Sequence, residues 1–377
     1  MAKTKWIAGL ICAALLAGGA HAQTPDAAAL DRMSAAELLP HALKEGKVTV
    51  YAFTSRIAQI EKAFEAAYPG IDVVPLDISS TQMIARLKAE AQAGIVNADV
   101  AYVSDAPVVL NELLPRGTLI RYVPPDIAAR VPAAFASPLL ANRLSTKVVM
   151  YNEEANPNGA PIANLWDLTK PEWKGKVVMV DPSLRGDYLD FMTEIVLRAP
   201  EMEKAYAAAF GKPWVKGKNA NAGEDWIAAL YANQPVLVRN TDAVNDAVGK
   251  KGQARPPVGI TTYSDRRDNA KENRALQVAN AIEPSPGILF PAYLALAKGT
   301  RNPAASRLLI RFMMGDDTPA GGPGFAPFYV AGDYATRTDI EQPKDAIGLD
   351  AFRAWRMDPV KSAKIRADVA DFILSLK

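Results

Sequence analysis

The sequence predicts an α/β protein with a mainly parallel sheet, large enough for two lobes. Strand-like runs alternate with helical ones over residues 47–113 and again over 176–248. The chain has 377 residues; less a leader, that is too long for one small domain and fits two of ordinary size. Hydrophobic residues make up 49% and charged residues 22%, a balance that supports a buried core and excludes a disordered or fibrous chain.

The elements follow in order. Ser34 and Glu37 have capping-box spacing, and Leu38, Leu39 and Leu43 give the helix behind them an apolar side. Lys47 to Phe53 is β-rich. Ser55 is placed to cap a helix whose Ile57, Ile60 and Phe64 recur at helical spacing. Pro69-Gly70 stops it, and Ile71 to Pro75 begins the next strand. Ser79-Ser80-Thr81 opens a helix with Met83, Ile84, Leu87 and Ala91 on one face, ending at Gly94. Asp99 to Val103 is a third strand, with Asp105 as the expected cap of a helix containing Val109, Leu110 and Leu113.

The pattern changes at Ala133 to Asn152, which reads as two strand-like segments without a full helix between them. A second series follows: Lys176 to Val180, a helix with Tyr188, Phe191, Met192, Ile195 and Val196, then Pro235 to Val238 and a helix carrying Val244 and Val248. Val258 to Tyr263, Leu276 to Ile282 and Ile288 to Ala297 are further strands. Asn302-Pro303 starts a helix with Leu308, Leu309 and Phe312, and the tail from Gly348 reads as mostly helical.

Residues 1–22 combine Lys3 and Lys5, an apolar run from Trp6 to Ala17 and the small residues Ala20 and Ala22 around His21. These are the parts of a cleaved secretory signal peptide, with cleavage expected before Gln23; the apolar run is too short to span a bilayer, which needs roughly 20 residues. Cys12, the sole cysteine, and one of the two histidines fall in this leader. The chain beyond it therefore needs no disulfide, and His41 alone excludes a Cys/His zinc site and a Cys–His hydrolase. Removing Lys3 and Lys5 leaves 43 − 2 = 41 basic residues against 41 acidic ones. Such neutrality argues against general binding of nucleic acid or a membrane surface. No later stretch approaches 18 apolar residues, so a soluble exported protein is expected.

Several segments, in this order, resemble extracellular solute-binding proteins of ABC importers: Val48-Thr49-Val50-Tyr51, Tyr68-Pro69-Gly70-Ile71, Ala98-Asp99-Val100, Val149-Met150-Tyr151-Asn152, Trp166-Asp167-Leu168, Trp173-Lys174-Gly175-Lys176 and Asp181-Pro182-Ser183. The branch they resemble includes ferric-ion binders and binders of phosphorylated or phosphonate solutes, and the likeness runs from about residue 45 to 330. It implies a periplasmic, two-lobed type II binding-protein fold with two crossing hinge strands and the ligand between the lobes. Applied here, lobe one is residues 44–150 plus 288–377 and lobe two is 151–287, with hinges near Tyr151 and Pro284 to Gly287. A monomer is expected, partnered by membrane permease and ATPase subunits, with no cofactor.

In such sheets ligands lie beyond the carboxyl ends of strands, against helix N-termini. Four places fit. Thr54-Ser55-Arg56 follows the first strand. Ser79-Ser80-Thr81 offers hydroxyls to an oxyanion, or simply caps its helix. Ser183, Arg185 and Gly186 lie in a strand-to-helix turn suited to phosphate or carboxylate, unless Arg185 only pairs with Asp187. Arg239-Asn240-Thr241 ends an apolar strand, with an ion pair to Asp242 as the plainer reading. Ser104-Asp105 and Glu283 occupy comparable places; Asp105 reads more simply as a cap, and Glu283 as a partner for an amine, a hydroxyl or an arginine that locks the lobes. Thr261 to Arg267 reads as a solvated loop, and Gly321 to Phe325 as a flexible one.

The solute expected is a small organic anion, a phosphate ester, phosphonate or carboxylate. Ferric-ion binders of this resemblance typically use tyrosinate oxygens, often from adjacent tyrosines; this sequence has no Tyr-Tyr pair, and Arg239 near that slot would repel a cation. Ferric iron is the alternative. A secreted hydrolase using Ser79 or Ser183 is a second one, opposed by the lack of a G-x-S-x-G elbow and by the placing of His41 on the first helix. The GxxxxGK[ST] phosphate loop is missing too.

Overall fold

The computed structural model describes residues 26–377; the expected leader lies outside the described residues. Helix α1 (Ala35–Glu45) starts with the predicted capping box: the Ser34 hydroxyl accepts from the Glu37 N–H at 3.3 Å, and the Glu37 carboxylate accepts from the Ser34 N–H at 2.8 Å. β1 (Lys47–Ala52), α2 (Ile57–Ala67), β2 (Asp72–Asp77), α3 (Ser80–Ala93) and β3 (Val100–Val103) follow as expected. The periodic side chains Ile57, Ile60, Phe64, Met83, Ile84 and Leu87 are all buried. Burial of each is worth roughly 1.5–3 kcal/mol, which ties these helices to the sheet.

Two expected caps are absent. The residue at the cap position of α2 is Arg56, which makes no side-chain capping bond, so Ser55 is not the cap. Asp105 precedes a single helical turn but does not cap it; its carboxylate is occupied elsewhere, as described below.

The region read as two segments contains one long strand, β4 (Leu140–Asn152), buried along its whole length. Its polar residues Asn142, Arg143, Ser145 and Lys147 break the apolar pattern in sequence, yet all are buried, and Asn142, Arg143 and Lys147 have side-chain partners. Next come β5 (Val177–Val180), α4 (Gly186–Leu197), α5 (Ala199–Phe210), α6 (Ala222–Ala232), β6 (Val236–Val238), α7 (Thr241–Gly249), β7 (Val258–Thr261), β8 (Leu276–Val278) and β9 (Gly287–Ala297). The chain closes with α8 (Pro303–Met313), β10 (Trp355–Arg356) and α9 (Pro359–Leu374).

The sheet order is β2-β1-β3-β9-β4-β7-β5-β6. β2, β1 and β3 are mutually parallel, as are β7, β5 and β6, and the long antiparallel pair β4 and β9 joins the two blocks. β4 pairs with β9 from Leu140 to Val148, then turns to β7 and β8 from Val148 to Asn152. This is a two-lobed type II binding-protein fold. Gly287 opens β9 at φ 149°, where a Cβ would overlap the Lys147 carbonyl, so only glycine lets the crossing strands meet there. Residues 359–374, grouped with lobe one on sequence, lie between the blocks: they pack against residues 106–113 of the first and along α4 of the second, where Ser362 and the Asp358 N–H both donate to Glu194 and Lys377 pairs with Asp181.

Candidate functional site

The loops after β1, β5 and β6 each lead directly into a helix, so the N-termini of α2, α4 and α7 gather at the carboxyl ends of their strands. Unsatisfied N–H groups and the helix dipole make such a place attractive to anions. Between the two blocks lies a cavity of about 270 Å³. One wall is formed by Phe53, Thr54, Ser55, Arg56 and Asp77; its base by Arg143, Ser145 and Phe290 on the crossing strands. The facing wall carries Arg185, Asp187, Asn240, Thr241, Asp242, Thr262, Asp265 and Arg267.

The arginines are held by buried carboxylates. Arg56 Nη1 donates to Asp333 at 2.6 Å and to the Pro327 carbonyl at 3.0 Å, and its guanidinium lies 4.8 Å from the centre of the Phe328 ring. Arg143 donates through Nη1 to the other Asp333 oxygen and through Nε to the Tyr102 hydroxyl. Asp333 thus fixes two guanidiniums, whose charge it only half cancels. Arg185 forks onto Asp187 with two bonds of 3.1 Å, and buried Lys147 pairs with the same carboxylate at 3.0 Å. Burial would raise the Asp187 carboxyl, but the Arg185 and Lys147 cations outweigh it and hold the group well below the usual carboxylate range. Asp187 in turn raises Arg185 above its ordinary value, while burial lowers Lys147.

Arg267 bonds to Asp265 at 2.8 Å. Arg56, Arg143, Lys147, Arg185 and Arg267 therefore face buried Asp333 and Asp187 and partly buried Asp265, so the inner surface is positive and balance is reached only with the acids at the rim. The remaining acids of the lining, Asp77 and Asp242, are exposed at its rim. Burial of its carboxyl nonetheless pushes Asp77 up, an effect only partly opposed by Arg185. Past Arg267 a second, wider opening of about 630 Å³ is lined by Arg266, Arg274, Lys251, Glu153, Glu154 and Tyr329 among others.

The cavity brings together Thr54, Ser55, Arg56, Arg185, Asn240 and Thr241 from the residues singled out in the sequence. The others stand elsewhere. Ser79 is taken up in the capping box of α3 with Gln82. Ser80 is buried, its hydroxyl 2.8 Å from that of Ser104. Thr81, Asp105, Ser183 and Gly186 line a separate cavity of about 480 Å³ behind the first turn of α4, where the Ser183 hydroxyl also donates to Asp181. Arg239 is exposed and outside the lining. Glu283 pairs with Arg353 at an exposed position.

The loop read as solvated supplies Thr262, Asp265 and Arg267 to the wall, because the short helical turn at Tyr263–Asp268 folds it inward. Arg143, Ser145 and Phe290 went unread, although Arg143, Ser145 and Lys147 alternate along one strand face, a period-2 polar stripe in an otherwise apolar strand. No tyrosine lines the 270 Å³ cavity. Among the described residues no cluster of three or more His, Cys, Asp or Glu side chains is arranged to hold a metal ion, and no helix is long and apolar enough to cross a membrane.

A family model described as bacterial extracellular solute-binding protein matches residues 48–320, and the chain belongs to that family. Iron-bound HitA from Pseudomonas aeruginosa is 17% identical at a TM-score of 0.68, the match covering 88% of this chain and 99% of that one. AfuA from Actinobacillus pleuropneumoniae, with exogenous fructose-6-phosphate bound, is 18% identical at a TM-score of 0.65, covering 88% and 97%. The substrate-binding protein of an ABC transporter from Agrobacterium tumefaciens is 16% identical at 0.63, covering 87% and 94%. At such identities the likeness establishes the fold. No curated protein sequence matches.

Proposed function

We propose that this solute-binding protein captures a small organic anion, a phosphate ester, phosphonate or carboxylate, between its lobes and passes it to a membrane permease driven by an ATPase. One observation carries the reading: Arg56 and Arg143, fixed by one buried carboxylate, face Arg185 across a cavity bounded by three helix N-termini. Guanidiniums held in place before the ligand arrives lose little freedom on binding, and their charge-assisted bonds match planar or tetrahedral oxyanions. The capture of fructose-6-phosphate named for AfuA is consistent with this chemistry.

The mechanism is binding without turnover. An anion that touches Arg56 on one wall and Arg185 on the other gains contacts only when the lobes are together, and so shifts the hinge equilibrium toward closure. Membership of the family places the protein outside the cytoplasm, and permease and ATPase partners follow from the same membership.

Iron is the second reading, since HitA is described as iron-bound. A hard trivalent cation prefers anionic oxygen donors; the lining offers arginines and no phenol, and Tyr51, the tyrosine of the first strand, donates its hydroxyl to Glu90 instead. Calorimetry with fructose-6-phosphate, a simple phosphonate, citrate and ferric citrate separates the two. Saturable one-to-one binding of an iron-free anion, weakened by on the order of 1.5–3 kcal/mol in Arg185→Ala, is the expected result. Binding confined to ferric citrate, with the visible absorption of a phenolate complex, would overturn it.

A further inference from the structure

Behind the ligand cleft, Asp105, Arg366 and Asp190 meet on three different elements. Asp105 follows β3 in the first block; Asp190 lies on α4 in the second; Arg366 is on the terminal helix α9. Asp105 holds a left-handed backbone, φ 69°, which is uncommon and costly for a residue with a Cβ. Its carboxylate makes no capping bond, is 3% exposed, and lies 2.7 Å from Arg366 Nη2. Arg366 Nε donates to Asp190 Oδ1 at 2.7 Å. A Cβ at Gly186, the first residue of α4, would overlap both the Asp105 carboxylate and the Arg366 guanidinium.

We propose that Arg366 is a positioning residue: clamped between Asp105 and Asp190, it clasps the two lobes together and fixes the first turn of α4 over the cleft. α9 travels with the second block, through Ser362 and Asp358 on Glu194 and Lys377 on Asp181. The Arg366–Asp105 pair is therefore the charged link to the first block, at a seam where α9 also packs against residues 106–113. The turn it fixes carries Arg185 and Asp187, both in the cleft wall. The clasp itself is independent of what the cleft binds; only its effect on affinity rests on the anion reading.

The clasp holds a surplus of negative charge. One guanidinium faces two buried carboxyls; Asp187 on α4 and Glu112 beyond Asp105 add further negative charge, and Lys88 of α3 is already paired with Glu112. Burial, with the Asp105 charge added and Arg366 opposing, pushes Asp190 up to about 8, and burial raises Asp105 as well. The clasped form thus retains a proton that a hydrated, separated pair of carboxyls gives up. A raised carboxyl favours the proton-bound, closed form in acid, and that preference is lost as pH climbs from the ordinary carboxylate range to about 8.

The test uses residues 23–377, which contain no cysteine, with spin labels on Lys62→Cys in α2 and Lys204→Cys in α5, both exposed. Inter-label distances are measured between about pH 6 and about pH 9 without ligand. The expected result is a short-distance population that gives way to a longer one near pH 8, an effect lost in Asp190→Asn and in Asp105→Asn. Arg366→Gln should populate the longer distance at every pH. A wild-type distribution that ignores pH, or a pH response surviving in both asparagine variants, overturns the clasp. Dissociation of fructose-6-phosphate is followed in parallel: a pH-dependent distance with no binding of this probe or of phosphonate would leave the clasp standing and remove the anion reading.

Discussion

Arg143 and Arg185 both face the cleft, but they answer to different physics. Arg143 is 1% exposed and shares Asp333 with Arg56; removing it leaves a buried carboxylate with half its compensation. Arg143→Ala should therefore destabilise the fold by about 3–5 kcal/mol, the scale for breaking a buried ion pair, read as a lower urea midpoint. Arg185 keeps a quarter of its side chain exposed, 26%, and leaves Asp187 still paired with Lys147 when truncated. Its loss should fall mainly on anion affinity, with a smaller change in the urea midpoint. Equal unfolding midpoints for the two variants would show that Asp333 does not depend on Arg143. The same logic explains why the cleft was only partly legible in the sequence. Arg185 and Arg56 sit at strand-to-helix turns, where local sequence announces them. Arg143 lies inside a strand, and its role depends on Asp333, 190 residues away.

Among the elements, β4 and β9 decide the architecture, and their crossing tolerates little. Gly287 at φ 149° lies against the Lys147 carbonyl and the Val148 Cα. Gly287→Ala meets both a strained backbone and a backbone neighbour that cannot rotate away, and should cost roughly 1–3 kcal/mol or more; an unchanged thermal midpoint would refute the close approach. Elements with a single apolar stripe on a solvated helix, such as α2 and α3, or with a short apolar run, such as β3, were readable from periodicity alone. Three features were not. Ala133 to Asn152 reads as two strand-like segments, but Ala133–Ala136 is a helical turn and only Leu140–Asn152 is a strand. α5 and α6 (Ala199–Phe210, Ala222–Ala232) present alanine-rich sequence whose apolar side is defined by Trp166 and Trp226 packing rather than by leucine spacing. Asp105 looks like a cap, because nothing local reveals an arginine arriving from the last helix.

For the molecule as a whole, the continuous sheet has a thermodynamic consequence. β4 pairs with β9 on one side and with β7 and β8 on the other, and one apolar cluster extends from Leu87 and Val103 to Val180, Phe191 and Trp226, beside a second cluster confined to the first block. Neither block can lose its strands without taking apart a strand that the other needs. The free protein should therefore unfold in one calorimetric transition, with the calorimetric and van't Hoff enthalpies in agreement. An anion bound between the lobes touches both blocks and stabilises only the folded chain, so at a free concentration of 100 times its Kd it should add about 2.7 kcal/mol and shift that transition without splitting it. Arg185→Ala at the same anion concentration should show a smaller shift. Two resolved transitions in the free protein, with the anion moving one of them alone, would mean that the blocks fold separately and that the site belongs to a single lobe.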